Sequence, residues 1–488
     1  MSSRRFFLLP LLLVSTVLAQ VPAPNSVPTP PVNPAEPTVV LDHSQEAYVV
    51  EKLHTSYRFE NDGTGRREFY VKIKVQSEAG VEQWGQVVVG YNSANERVEI
   101  PFVRVLKLDG STVTAPQDSI QDLSIPLERD APVYTDYRQK HITVPGLRPG
   151  EELEYGFITI TQTPLAPGQF WMEHDFAKNG TVLDEQLALD VPKDRTIKLK
   201  TKPGNDAKIA ESNGRRVYTW ASSHVDKDES EKKKDKQKQK HAAKEPEVPA
   251  VQMTTFASWE QMGRWYASLE KDRREPSAEI RAKAAELTKG KTTDLEKIQA
   301  LYDFVGPNFR YISLSFGVGR FQPHAAEDVL DKGYGDCKDK HTLLAALLKA
   351  AGYDAWPVLI HTRRKLDAEV PSPAQFNHVI SLVPTGGSYI WLDTTPEVAP
   401  YRLLLQPLRN KQALVIPSEQ MPKLITTPEN PPEPQRQEFS MSGKLDAHGT
   451  FTGHAELTYA GDTEVGLRAA FRNVPESQWK EFAQRFSR

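Results

Sequence analysis

A run of mixed charge in the middle of the chain constrains the fold more than any other feature. Residues 226–248 read DKDESEKKKDKQKQKHAAKEPEV, with eight lysines and seven acidic residues. The only apolar side chains between Val225 and Val248 are two alanines, so this segment cannot bury a core. The 488-residue chain must therefore build its cores on either side. We interpret 226–249 as a disordered linker rather than an anion or membrane tether, because mixed charge weakens a basic field.

The start of the chain predicts a secretory signal at residues 1–19. Two arginines precede an apolar run from Phe6 to about Val14, and a small-residue cleavage motif ends at Ala19. The run is short and contains Pro10, which disfavours the alternative of an uncleaved membrane anchor. The proline-rich segment 20–40 then predicts an extended spacer. We expect an exported protein, periplasmic or secreted, with no transmembrane helix after signal cleavage.

Residues 41–225 predict an antiparallel β-sandwich. Apolar side chains alternate with other residues from Phe69 to Val75, and the same period of two returns from Leu153 to Phe157. Turn signals such as Asp109-Gly110 separate these runs. Short strands at this spacing are typical of two packed antiparallel sheets.

Residues 250–405 predict a domain in which helices are followed by a sheet. Helices are expected from Ser258, from about Asp294 to Val305 before Gly306-Pro307, and from Cys337 to a stop at Gly352. Three strand-like runs come next, at 356–361, 376–383 and 389–394. The overall fold class is therefore α+β and multidomain.

The C-terminal part of the chain is proline-rich at first and then β-rich. Residues 406–436 predict a linker, and residues 437–488 contain an alternating strand and a short amphipathic helix. One strand and one helix cannot close a core. We expect 437–488 to be an incomplete domain or to dock on its neighbour.

The single cysteine, Cys337, cannot form an internal disulfide even in an oxidising compartment. It follows Asp336, a good N-cap residue, and so begins a predicted helix. The amides of a first helical turn favour thiolate over thiol, whereas Asp336 and Asp339 oppose that effect. An activated sulfur at this position requires a base.

His378 and Asp393 are the predicted base and its orienting carboxylate. If the hairpin loop PTGGS has an even length, Val383 pairs with Ile390, and His378 lies diagonal to Asp393 on the same side. A nucleophile, a base and a group that fixes the base's tautomer are what covalent acyl transfer requires.

The amino-acid sequence of these segments resembles that of a known family. YGDCKDKHTLLAALLKAAGYDA, FNHVI and WLDTTPE are similar to the core of the transglutaminase-like superfamily, over about residues 290–398. The resemblance implies a papain-like fold with Cys337 as nucleophile, His378 as base and Asp393 as its orienter. DTTP replaces the Asp-Pro-Thr of many relatives, which keeps the aspartate and changes the local turn.

A second resemblance concerns the predicted sandwich. VRVLKLDGSTV and ITVPGLRPGEELEY resemble the N-terminal domain of unknown function that exported bacterial transglutaminase-like proteins often carry. The expected architecture is an N-terminal β-sandwich, a central transglutaminase-like core and a C-terminal β-rich partial domain.

Two functions are compatible with these features. The first is a cysteine acyltransferase or amide hydrolase that forms a thioester with peptide, protein or cell-wall amides. Its oxyanion would be held by the Cys337 N–H and an upstream donor, for which Tyr311 and Gln322 are candidates. The second is a non-catalytic envelope scaffold whose β-domains bind a partner and whose papain-like core is structural.

No cofactor, metal site or nucleic-acid partner is predicted. The 61 basic and 64 acidic side chains leave no general field for nucleic acid. The chain contains neither a Gly-rich phosphate loop nor paired cysteines. His341 lies one turn after Cys337, but two ligands do not make a metal site, so we interpret it as a helix-packing residue.

Overall fold

The computed structural model describes residues 43, 45–124, 136–225, 248–312 and 320–486. The predicted signal (1–19), spacer (20–40) and nearly all of the charged linker (226–249) lie outside the described residues. Among the helices of the described ranges, none combines the length and apolar character needed to cross a membrane.

The described residues of the N-terminal region form mainly strands, with one short helix, α1 (Glu78–Trp84), after the second strand. The strands are β1 (Tyr48–Phe59), β2 (Gly65–Val75), β3 (Gln86–Asn92), β4 (Glu96–Leu106), β5 (Thr112–Thr114), β6 (Gln121–Ser124), β7 (Tyr137–Thr143), β8 (Glu152–Thr161), β9 (Trp171–His174), β10 (Val182–Pro192), β11 (Lys198–Thr201), β12 (Lys208–Ser212) and β13 (Arg215–His224).

Two sheets of this region pack face to face. The larger has eight strands in the order β12-β13-β10-β1-β2-β8-β4-β5, and the smaller has the order β3-β7-β6. Ile73 and Val105 from the larger sheet form one buried cluster with Val87 and Ile142 from the smaller one. Lys74 points to the opposite, exposed face, as the period of two requires. The predicted sheet-rich N-terminal domain is confirmed.

The larger sheet contains one parallel pair, β1 with β10, whereas the sequence predicted antiparallel pairing throughout. Parallel neighbours need a long connection, and β2 to β9 provide it. The alternation of side chains is the same in both pairings, so the pattern alone could not distinguish them.

The first strand after the charged linker completes a sheet with N-terminal strands. β14 (Val251–Thr254) lies between β11 and β9, antiparallel to both, and each of its residues is buried. The predicted domain boundary at residue 250 assigned this segment to the core. Its pairing therefore ties the two regions together by backbone hydrogen bonds.

Among the described residues, the core region contains five helices and seven further strands. The last two of these strands lie within residues 406–436, where the predicted linker was therefore wrong. The helices are α2 (Trp259–Glu270), α3 (Ala278–Thr288), α4 (Asp294–Asn308), α5 (Ala326–Lys332) and α6 (Cys337–Ala350). The strands are β15 (Arg310–Tyr311), β16 (Tyr334–Gly335), β17 (Trp356–Ile360), β18 (His378–Thr385), β19 (Ser388–Leu392), β20 (Gln412–Val415) and β21 (Lys423–Thr426).

Helix α6 is the centre of this region. It packs against α3, α4 and α5 and against β18, the second strand of a five-stranded sheet in the order β19-β18-β17-β20-β21. Leu343, Leu344, Leu347 and Leu348 on α6 are fully buried. The helix stops before Gly352, whose φ of +88° favours glycine. Both predicted ends of this helix are confirmed.

Helix α4 extends further than predicted. The sequence placed its end before Gly306-Pro307, but it continues to Asn308. The buried ammonium of Lys340 donates to the carbonyls of Gly306 (3.0 Å) and Phe309 (2.7 Å). These bonds satisfy acceptors that a helix end leaves unpaired. Because Lys340 belongs to a different helix, the sequence near Gly306 gives no sign that α4 continues.

Replacing Leu347 with alanine is expected to lower the free energy of unfolding by about 2–5 kcal/mol, because the site is fully buried among three helices. Urea unfolding followed by circular dichroism measures the change. Lys349→Ala, on the exposed side of the same helix, is the matched control and should cost less than about 1 kcal/mol. Equal losses for both variants would contradict the packing described for α6.

The C-terminal region contains a hairpin and two helices. They are β22 (Arg436–Leu445), β23 (Phe451–Ala460), α7 (Asp462–Arg472) and α8 (Trp479–Phe486). The sequence predicted β23 and α8 but not β22, whose residues are all exposed and carry no burial pattern. Ion pairs from Arg409 to Asp462 (2.6 Å) and from Arg472 to Glu397 (2.8 Å) connect this region to the core. The predicted C-terminal β-rich region is confirmed.

Candidate active site

Cys337 is the first residue of α6, and the residues around it hold the helix end in a defined conformation. The Asp336 carboxylate accepts hydrogen bonds from the backbone N–H groups of Lys338 (3.0 Å) and Asp339 (3.2 Å). Asp339 in turn accepts from the backbone N–H of Asp336 (3.2 Å), which completes a capping box. A Cβ at Gly335 would lie 2.6 Å from Cβ of Asp339. The G-D-C-K-D sequence therefore fixes the cysteine at the N-terminus of α6.

His378 and Asp393 lie at the ends of neighbouring strands. Val383 pairs with Ile390, and Thr385 pairs with Ser388 across a two-residue turn formed by Gly386 and Gly387. Both glycines have positive φ, as a type I′ turn requires. The loop thus has the even length on which the predicted pairing of His378 with Asp393 depended. It brings Nε2 of His378 to 3.0 Å from Oδ2 of Asp393.

The second carboxylate oxygen of Asp393 is held by Thr395. Oδ1 accepts from the Thr395 backbone N–H (2.9 Å) and from the Thr395 hydroxyl (2.7 Å). The buried hydroxyl of Tyr302 lies 3.0 Å from the Asp393 carbonyl oxygen. These contacts leave Oδ2 directed at His378. The DTTP segment, which differs from the Asp-Pro-Thr of many relatives, therefore supplies its own hydrogen-bond donors to the Asp393 carboxylate.

The hydrogen bond to Asp393 determines which ring nitrogen of His378 serves the sulfur. A carboxylate only accepts hydrogen bonds, so Nε2 carries the proton that it shares with Oδ2. Nδ1 is then the nitrogen left for Cys337. Cys337 and His378 line one cavity, and the Cys337 side chain favours the charged form of His378. The structure therefore brings the three predicted residues together.

The electrostatics of the site favour a charged histidine. Burial opposes the charge on His378, but the carboxylate of Asp393 and the neighbouring Cys337 side chain outweigh it and raise the pKa of His378 to about 10. Burial also opposes the charge on Asp393, but His378 and the donors from Thr395 lower the pKa of this carboxyl group below its usual value. At neutral pH the site therefore holds an imidazolium beside the sulfur.

Further charges surround the start of α6. The ammonium of Lys338, only 3% exposed, forms an ion pair with Asp336. Nδ1 of His324 lies 3.1 Å from both carboxylate oxygens of Asp339. Burial opposes the charge on Asp339, but the hydrogen bond from His324 and the charge of Lys338 outweigh it and lower the pKa of Asp339 to about 2. The two acidic residues that oppose a thiolate in the sequence thus each have a basic partner, Lys338 for Asp336 and His324 for Asp339.

A cavity of about 340 Å³, called here the thiol cavity, opens onto Cys337 and His378. Its apolar wall includes Tyr266 and Phe376, and its polar wall includes Arg320 and Asn377. Cys337 is 5% exposed and reaches the surface through this cavity. A substrate group that enters it meets the sulfur and the imidazole together.

The two oxyanion candidates lie elsewhere. Tyr311 is exposed on β15, where its backbone N–H donates to Glu397 (2.6 Å). Gln322 is half-buried beside Phe321, which lines the thiol cavity, but Gln322 does not line it. The described residues therefore place neither side chain in the wall of this cavity.

Tyr266 is a cavity residue that the sequence reasoning missed. Its ring is buried, and burial together with the charges of Glu270 and Cys337 raises its pKa well above the usual value. The phenol therefore stays a hydrogen-bond donor near the sulfur. The sequence placed Tyr266 only on the apolar face of α2, because nothing local indicates that α2 packs beside the start of α6.

His341 packs inside the core. Its Nδ1 lies 2.7 Å from the Ser381 hydroxyl and its Nε2 lies 2.9 Å from Glu270, and all three side chains are buried. Both ring nitrogens therefore have protein partners. This arrangement agrees with a helix-packing residue.

Family models match both main regions of the chain. Residues 281–394 match the transglutaminase-like superfamily, and this segment contains Cys337, His378 and Asp393. Residues 61–228 match DUF3857, a domain of unknown function with a solved structure. Both resemblances predicted from the sequence are confirmed.

At least one solved structure shares this fold at low sequence identity. A "putative protease" from Parabacteroides distasonis is 17% identical, with a TM-score of 0.62 over 79% of this chain and 72% of that one. A "putative cysteine protease" from Cytophaga hutchinsonii is 11% identical, with a TM-score of only 0.22 over 84% of this chain and 92% of that one. A search of curated proteins found no match. The first structure supports a common architecture for most of the chain.

Proposed function

We propose that this chain is an exported cysteine acyltransferase or amide hydrolase that acts on peptide, protein or cell-wall amides. The observation that carries this proposal is that Cys337 and His378 line one cavity and that Nε2 of His378 lies 3.0 Å from Oδ2 of Asp393. The transglutaminase-like match over residues 281–394 supports the same chemistry. The signal predicted at residues 1–19 supports export to the periplasm or the medium.

The proposed reaction has two steps. The Cys337 sulfur, as a thiolate, attacks the carbonyl carbon of the amide and forms a tetrahedral intermediate. As the C–N bond breaks, the proton from Nδ1 of His378 passes to the departing amine and leaves a thioester. Water or a second amine then attacks the thioester, gives its proton back to His378 and releases the sulfur.

The oxyanion of the tetrahedral intermediate needs hydrogen-bond donors near the sulfur. The Cys337 N–H lies in the first turn of α6, where it has no acceptor within its own helix. The phenol of Tyr266 lines the same cavity and is within the electrostatic influence of Cys337. We include this pair in the proposal as oxyanion donors, in preference to the side chains of Tyr311 and Gln322.

Alkylation of the single cysteine tests the proposal. At about pH 6, iodoacetamide should modify Cys337 in the folded protein about 10²-fold faster than in the urea-unfolded chain, because an ordinary thiol is almost fully protonated there. Mass spectrometry of timed samples measures both rates on the same molecule. A thiol that stays inert until the chain unfolds would contradict the enzyme and favour the non-catalytic envelope scaffold.

A further inference from the structure

His341 links the helix that carries Cys337 to two other elements of the site. Its Nδ1 lies 2.7 Å from the hydroxyl oxygen of Ser381 on β18, and its Nε2 lies 2.9 Å from Oε1 of Glu270 at the end of α2. A carboxylate only accepts hydrogen bonds, so Nε2 donates to Glu270 and Nδ1 pairs with the Ser381 hydroxyl. We call these three residues the Glu-His-Ser network. It connects β18, α6 and α2 by two hydrogen bonds.

The first bond of the network joins α6 to α2 behind the thiol cavity. Glu270 lies one turn after Tyr266 on α2, and His341 lies one turn after Cys337 on α6. Side chains four residues apart lie on the same face of a helix, so the bond connects the face that carries the phenol to the face that carries the sulfur. Tyr266 and Cys337 also share one buried cluster. The bond to Glu270 therefore helps to set the distance between the phenol and the sulfur.

The second bond of the network joins α6 to β18. Val379 packs in one buried cluster with Cys337, and Val383 packs in another with the leucines of α6. Alternate residues of a strand lie on the same face, so Ser381, between these valines, is on the side of β18 that faces α6. His378 begins the same strand, three residues before Ser381. The bond therefore fixes where β18 lies along α6, and with it the distance from the imidazole to the sulfur.

The burial of the network indicates a role beyond filling space. The exposed fractions of Glu270, His341 and Ser381 are only 2%, 1% and 2%. Apolar side chains of the same volume would fill this space without the cost of removing a carboxylate from water. Hydrogen bonds require a narrow range of distance and angle, whereas apolar contacts tolerate repacking. The network therefore selects one relative placement of α2, α6 and β18.

The same three residue types form the catalytic triad of some hydrolases, but this network is not a second reaction centre. Ser381 is buried and does not line the thiol cavity. A nucleophile has to meet the carbonyl carbon of the substrate, and the position of this hydroxyl between α6 and β18 prevents that. Its hydrogen bond is therefore available for structure alone.

We propose that the Glu-His-Ser network positions the reacting groups of the thiol cavity. The bond to Glu270 places the Tyr266 phenol, and this half of the network governs stabilisation of the oxyanion. The bond to Ser381 places His378, and this half governs activation of the sulfur. The three members are positioning residues, because none of them contacts the substrate. The inference rests on the proposed function and divides its site into two halves that can be changed separately.

Two reactions of the full-length protein separate these halves. Iodoacetamide alkylates the Cys337 sulfur by displacement of iodide and forms no oxyanion. With 4-nitrophenyl acetate, the thiolate attacks the acetyl carbon and forms a tetrahedral oxyanion; the C–O bond then breaks, which releases 4-nitrophenolate and leaves a thioester. Mass spectrometry of timed samples measures alkylation, and absorbance measures release of the nitrophenol at the same pH. Cys337→Ala gives the background of the second reaction.

Two substitutions of His341 each break one bond of the network. The amide of His341→Gln lies near the position of Nε2 and keeps the bond to Glu270, whereas the shorter His341→Asn lies near Nδ1 and keeps the bond to Ser381. The Gln variant should slow both reactions by about tenfold or more, because His378 is displaced from the sulfur. The Asn variant should slow acylation by about tenfold or more and alkylation by less than about twofold, because only the oxyanion donor is displaced. The ratio of acylation to alkylation should therefore fall only in the Asn variant.

Further variants separate positioning from a loss of stability. Ser381→Ala should reproduce the effect of His341→Gln, and the two together should slow alkylation by no more than about twofold beyond either alone, because both remove the same bond. Leu347→Ala is the matched control, since it destabilises the same helix about 15 Å from Cys337 and leaves the network intact. It should keep both rates within about twofold of the parent protein. Circular dichroism confirms that each variant is folded.

The outcomes distinguish this inference from the proposed function. If the parent protein reacts rapidly and the Gln and Asn variants of His341 react equally fast, or lose both reactions to the same extent, the inference is overturned and the proposed function stands. Losses in Leu347→Ala as large as those in the network variants also overturn the inference, because they would follow from stability alone. A parent thiol that reacts with neither probe refutes the proposed function, and the inference with it.

Discussion

Replacing His378 with alanine is expected to slow the alkylation of Cys337 at about pH 6 by about 10²-fold, because the sulfur then lacks the base that the proposed chemistry needs to activate it. Amide turnover should fall by roughly 10²–10⁴, the usual worth of a positioned acid and base. The physical reason is that His378 and Cys337 line the same cavity, where His378 is the only histidine among the described lining residues. Timed mass spectrometry measures the first effect and peptide cleavage or transfer measures the second.

Two further variants make this result specific. His361→Ala removes another partly buried histidine that does not line the thiol cavity, and it should leave both rates within about twofold of the parent protein, as for a surface change. Cys337→Ala defines the background of the turnover assay. Alkylation that proceeds equally fast without His378 would show that the imidazole does not act on the sulfur. The scaffold function would then be the better interpretation.

The part of the site that could be predicted from the sequence is the part fixed by local rules. Asp336 marks the start of α6, and the Gly-Gly turn sets the register that places His378 beside Asp393. Each of these features depends on residues a few positions apart. Hairpin and capping rules operate over that distance, so a single sequence carries enough information.

The part that could not be predicted depends on contacts between distant segments. Tyr266 reaches the thiol cavity because α2 packs beside the start of α6. β14 pairs with β9 and β11 across the charged linker for the same kind of reason. Alternation and helical periodicity show which face of an element is buried, but not which other element covers it.

Replacing Asp393 with asparagine is expected to slow alkylation of Cys337 at about pH 6 by tenfold or more, although every side chain stays close to its native volume. The Asp393 carboxylate is the group that most strongly favours the charged form of His378 against the effect of burial. Once it is gone, burial lowers the pKa of His378, and the imidazole becomes neutral. An amide also donates as well as accepts, so Nε2 no longer has to carry the proton. The alkylation rate of both proteins is measured from about pH 5 to pH 10. The parent protein should react rapidly over a broad part of this range, and the variant should not.

In the same variant, the contribution of His378 to the pH dependence of the free energy of unfolding should change sign. In the parent protein the pKa of His378 is raised from 6.5 to about 10, so its contribution to folding is complete below about pH 6.5 and is lost as the pH rises through about 10. In Asp393→Asn the folded pKa lies below the unfolded one, so folding is penalised as the pH falls through about 6.5. Urea unfolding of both proteins between about pH 5 and pH 9 isolates this difference, because the other titrating groups are common to both. If the free energies of unfolding of the two proteins change with pH in parallel, Asp393 does not stabilise the charge on His378. Its orienting role would then be refuted, together with the acid–base chemistry that depends on it.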